Sequence, residues 1–131
     1  MKKIFFLLFL FAAFESFAGT SSDTCYHFKT GKFSYRDSAG VLTKIIRTKK
    51  QQTETNTKTG LLIRSTINWV GECSYELTQV WSNRKEQRKF NGSRYHIQIT
   101  GFSGNSYEYA CSCANANTVT VKKGVVIKTG D

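Results

Sequence analysis

Three groups of residues in this chain could carry chemistry: four cysteines, two histidines, and a polar trio within a β-rich stretch. The cysteines are Cys25, Cys73, Cys111 and Cys113. An even count in an oxidising compartment reads as two disulfides, with three possible pairings. Cys111 and Cys113 alternate on one face of a strand, a poor geometry for bonding each other, so the favoured arrangement pairs each with a distant cysteine. The alternative is a Cys25–Cys73 bridge with a strained or free Cys111/Cys113 pair. Cys-x-Cys with His27 or His96 could ligate a metal, but no second Cys-x-x-Cys or His-x-x-x-His supports it, so no metal is expected.

The histidines sit in no catalytic frame. The chain contains no Gly-x-Ser-x-Gly elbow, no His-Glu-x-x-His, no Walker-type loop and no Gly-x-Gly-x-x-Gly. A cysteine nucleophile would have to stay reduced in an oxidising compartment. His96 with Glu76 or Glu108 is the one acid/base pairing on offer, and nothing in the sequence fixes their separation. The expectation is therefore a protein that is not an enzyme and carries no cofactor.

The trio is Arg47, Gln52 and Glu54. On an outward strand face such residues make ordinary cross-strand polar pairs. Facing into a small barrel, Arg47 could hold a ligand carboxylate while Gln52 and Glu54 fix its orientation. Trp69 and Tyr75 would then supply apolar walls. A second candidate surface is the basic segment Arg84, Lys85, Arg88 and Lys89, which suits an acidic or anionic partner.

The elements that must position these residues are strands. Without a single proline and with turn signals at regular intervals, the chain alternates apolar and polar residues almost throughout. Strands are expected at 31–35, 41–55 (with a bulge or break near Thr48–Lys50), 61–70, 73–81, 95–99, 107–113, 118–122 and 125–128. Ser82–Gly92 reads as a loop or short exposed helical turn. The fold class is all-β: an up-and-down antiparallel meander of seven to eight strands, closing as a small lipocalin-like barrel, with a β-sandwich as the alternative.

Residues 1–18 combine a cationic start, an apolar run from Ile4 to Phe14 and a Ser16-Phe17-Ala18 cleavage signal, so they read as a signal peptide. Residues 19–131 then form one domain, exported to the periplasm or outside the cell, with no stable membrane span and a monomeric state expected. Loss of Lys2, Lys3 and Glu15 takes the formal net charge from +10 to +9.

One spaced set runs Cys25-x5-Gly31-x-Phe33-x-Tyr35, Ile46-Arg47-x4-Gln52-x-Glu54 and Trp69-x3-Cys73-x-Tyr75-x-Leu77. It resembles that of a group of short secreted Bacteroidota proteins with no assigned function. The likeness covers residues 25–77, with a looser echo in Ile97–Ile99, Tyr107 and Gly124–Lys128. It implies a common fold and export, and brings no activity with it. The functional expectation is non-catalytic binding of a small hydrophobic or amphipathic ligand inside the barrel, or of a macromolecule on its surface. The alternatives are a protein–protein module, such as an inhibitor of a secreted hydrolase, and a polyanion binder.

Overall fold

A computed structural model describes residues 25–115 and 118–131, excluding the side chains of 113–120; the expected signal peptide lies outside the described residues. A 3-10 turn, Tyr26–Phe28, precedes eight strands: β1 (Gly31–Arg36), β2 (Leu42–Arg47), β3 (Gln51–Asn56), β4 (Leu62–Trp69), β5 (Ser74–Ser82), β6 (Arg94–Ser103), β7 (Ser106–Asn115) and β8 (Thr118–Gly130). Each strand pairs antiparallel with the next, and β8 returns to β1, giving a closed up-and-down barrel. The barrel, rather than the sandwich, is the architecture.

Alternation explains why the sheet closes. On β2, Thr43, Ile45 and Arg47 are buried while Lys44 and Ile46 face out. On β5, Tyr75, Leu77 and Gln79 are buried. On β6, Ile97 and Ile99 are buried. One inward row per strand gives a single core, and a fully paired sheet has no edge left to aggregate.

Of the strand breaks expected from the sequence, one near Thr48–Lys50 is present and one at Lys123–Gly124 is not. The long 41–55 stretch is two strands: Arg47 lies opposite Gln52, and the Thr48 amide donates to the Gln51 carbonyl at 2.9 Å across a tight turn. Thr48 supports that turn with its own hydroxyl, accepting from the Gln51 amide at 3.2 Å. Conversely, 118–122 and 125–128 belong to one strand, β8, with Gly124 continuing the ladder opposite Tyr109. Gly124 is there because the Tyr109 ring lies across it: a Cβ would stand 2.6 Å from the Tyr109 hydroxyl oxygen. Ser82–Gly92 holds a second 3-10 helix, Lys85–Phe90, as expected of that segment.

The antiparallel order assigns the barrel two different ends. The 3-10 turn, the β2–β3, β4–β5 and β6–β7 turns and the chain terminus gather at one end. The β1–β2, β3–β4 and β7–β8 turns and the Lys85–Phe90 helix gather at the other.

Candidate functional site

The first end is plugged. Phe28 on the 3-10 turn, Phe33 on β1 and Tyr107 on β7 are almost wholly buried, with Phe28 and Tyr107 ring centroids 4.9 Å apart. Burying rings of this size contributes about 1.5–3 kcal/mol each. The Cys25–Cys73 disulfide ties the 3-10 turn to the β4–β5 connection, with Cα atoms 5.2 Å apart. This corrects the favoured pairing of Cys111 and Cys113 with distant cysteines: the plug carries Cys25 directly against Cys73. Cys111 instead faces the barrel interior, and the Cys113 side chain lies outside the described residues.

Arg47 sits at the centre of the plug. Its Nε donates to Gln52 Oε1 at 2.8 Å, Nη1 to the Phe28 carbonyl at 2.7 Å, and Nη2 to the hydroxyls of Tyr107 and Tyr75 at 2.9 and 3.2 Å. Four of the five guanidinium N–H donors are thus engaged by the protein itself. The guanidinium also stacks 4.5 Å from the Phe33 centroid and 4.9 Å from that of Tyr75. Burial opposes its charge, and the Tyr75 and Tyr107 oxygens together with Glu54 outweigh that burial, holding the pKa above its ordinary value.

Above this floor the barrel is hollow. A cavity of about 400 Å³ opens toward the second end, near the lower limit of small-molecule sites. Arg47, Gln52, Glu54 and Tyr75 all line it, so the expected trio does converge inward. The β2–β3 turn accomplishes this by setting Arg47 opposite Gln52 and Ile45 opposite Glu54.

Gln52 links the two charges, accepting from Arg47 while its side chain hydrogen-bonds Glu54. Tyr35 adds a longer bond, donating to Glu54 Oε1 at 3.4 Å. Burial pushes the Glu54 carboxyl above its ordinary value, against the pull of Gln52, Arg47 and Tyr35. Burial, then the adjacent Glu54 charge, raises the Tyr35 phenol as well.

Trp69 is placed differently from its expected role as a wall. It stacks on Tyr75 at 4.7 Å within the plug, under the Lys29 ammonium, and is absent from the cavity lining. The sequence reading gave no ligand-contacting role to much of the lining: Tyr35, Ser65, Gln79, Tyr95, Tyr109 and Lys122. Ser65 and Gln79 carried a signal. They share strand parity with Ile63 and Ile67 and with Tyr75 and Leu77, so a small or polar side chain recurs on an otherwise apolar inward row.

The basic segment crowns the open end but divides in use. Arg84 Nη2 donates to the Thr59 carbonyl at 2.6 Å, and Arg88 Nε to the Ser82 carbonyl at 2.9 Å. Both therefore hold the loop to the barrel, helped by Gln79, whose amide donates to the Gln87 carbonyl at 2.9 Å. Lys85 and Lys89 face solvent. His96 is exposed and lies opposite Glu76 on the outer wall, remote from the interior. Among the described residues no group of three His, Cys, Asp or Glu side chains could hold a metal ion, and no helix is long and apolar enough to cross a membrane.

No family model matches the chain, and neither the curated proteins nor the solved structures provide a match.

Proposed function

We propose that this is an exported, non-catalytic carrier or sensor of a small amphipathic molecule, bound inside the barrel and admitted through the end that the Lys85–Phe90 helix borders. The single observation behind this reading is the contrast in one interior. The same inward rows that fill one end solidly leave about 400 Å³ empty at the other.

A barrel of eight strands is just wide enough either to be filled by its own side chains or to hold one small ligand. Here large aromatics fill the plug. Ser65, Gln79, Ile45 and Ile63 line a space that larger residues at the same positions would close. The lining mixes aliphatic side chains with hydroxyl, amide and carboxyl groups, the usual composition of a site that fixes a ligand's orientation.

The test is native mass spectrometry of the protein isolated from its producing cells without denaturation. A small copurifying mass, lost on collisional activation, is the expected result. A bare mass across all charge states would contradict the reading.

A further inference from the structure

Five of the protein's six tyrosines, Tyr35, Tyr75, Tyr95, Tyr107 and Tyr109, line the cavity. Tyrosine presents a ring face and a hydroxyl together, so the lining suits a planar ligand with polar ends. The space matters too: about 400 Å³ is the liquid volume of roughly a dozen waters. One ring with a short substituent fits within that space.

The charges inside give that ligand a direction. Arg47 is engaged by Gln52, Phe28, Tyr75 and Tyr107, so it is not an open anion clamp. Glu54 lies one inward step along β3 from Gln52, just above the floor. Its carboxyl oxygens accept from Gln52 and, at long range, from Tyr35, which leaves acceptor capacity for a ligand donor.

Lys122 stands at the opposite height. It lies across from Cys111, which also lines the cavity, and is the outermost described inward residue of β8, preceding Gly124, Val126 and Lys128. It has no ion-pair partner among the described residues. Lys85 and Lys89 add exposed positive charge at the same end. An acceptor low in the cavity and a cation near its mouth favour a neutral donor at one end of the ligand and an anion at the other. A cationic amine would meet Lys122 on entry and Arg47 below.

Resting on the carrier reading above, we propose that the ligand class is a small aromatic acid with a hydroxyl or other neutral donor: the donor on Glu54, the ring among the tyrosines, and the acid group at Lys122.

The test is an NMR titration of the disulfide-bonded protein, following the backbone amides of Glu54, Tyr109 and Lys122. Four probes of similar size are compared: 3-(4-hydroxyphenyl)propanoate, 4-ethylphenol, tyramine and nonanoate. The phenolic acid should bind tightest, by about tenfold over 4-ethylphenol, the worth of one hydrogen bond to a charged group. Lys122→Gln should erase that advantage and leave 4-ethylphenol unchanged, whereas the adjacent Lys123→Gln should alter neither.

Tighter binding of tyramine or nonanoate, or indifference to Lys122→Gln, overturns the ligand class while leaving a cavity that binds. No shift with any probe also overturns the class, and the carrier reading is then judged separately by its copurifying mass.

Discussion

The two ends of this barrel are built from the same alternating strands and do opposite things with their polar groups. At the plugged end, the donors of Arg47 meet a carbonyl, an amide oxygen and two phenols, while Lys128 Nζ donates to the His27 carbonyl at 2.9 Å. Lys29, Trp69, Tyr75, Arg47 and Phe33 form a continuous stack of rings and cations across that end. Among the described residues, only the Trp69 indole N–H is buried there without a partner. At the open end, Glu54, Ser65, Gln79 and Lys122 surround empty space. The difference teaches that a buried polar residue can serve either of two purposes, and that its partners distinguish them: the plug's groups saturate one another, whereas at the cavity Gln79 is tied to the loop but Glu54 keeps acceptor capacity and Lys122 has no ion-pair partner among the described residues.

Substitutions at the two ends should therefore separate into stability effects and binding effects. The largest loss is expected from Arg47→Ala, which leaves the Gln52, Phe28, Tyr75 and Tyr107 acceptors stranded in the plug. Urea unfolding should show a cost of about 4–5 kcal/mol, at the upper end for breaking a buried charged network. A cost below about 1 kcal/mol would mean that the plug does not depend on this network. Replacing Cys25 and Cys73 together by Ala opens a cross-link spanning 48 residues and should cost about 4 kcal/mol by the chain-entropy model. The same loss should follow chemical reduction of the parent.

Gly124→Ala forces the Tyr109 ring, which lines the cavity, off β8. A stability loss of about 1–3 kcal/mol is expected, as for other overpacked sites, together with weaker uptake of any cavity ligand. Unchanged uptake would show that Tyr109 does not border the bound molecule.

The smallest effect is a pH dependence. The folded protein raises the Glu54 pKa, so the folded state keeps this proton longer than the unfolded one. The sign follows by linkage: stability is full while both states are protonated and falls as pH rises above about 4.5, the ordinary value. Glu54→Gln should match the parent in acid and exceed it at neutral pH in melting temperature. A gain that is the same at every pH would assign the effect to packing rather than charge.

Much of the barrel was legible because alternation with short turns allows few alternatives. Seven or more hairpin-linked strands, each with one inward row, must close or split into two layers. The convergence of Arg47, Gln52 and Glu54 was half legible. Their residue types and a break near Thr48–Lys50 stood out, but not that the break is a tight turn that brings Arg47 opposite Gln52. What each polar residue touches was not legible. Arg47 reads identically whether it awaits a ligand or binds Tyr75 and Tyr107, which lie 28 and 60 residues away in sequence. Trp69 misled for a related reason: its strand parity gives a face, whereas the 3-10 turn and Lys29 decide that it belongs to the plug. The disulfide depended on that same turn, since only the plug carries Cys25 to Cys73.

The most direct test of the central claim, that one end is structural and the other is a binding space, is to fill the space. Ile63→Trp places a ring in the cavity from β4, one inward step further from the plug than Ser65, which lies opposite the Arg47 partner Gln52. The account predicts a melting temperature equal to or above the parent's, together with loss of the copurifying small mass in native mass spectrometry. A variant destabilised like an overpacked core, or one that still carries the mass, would contradict it.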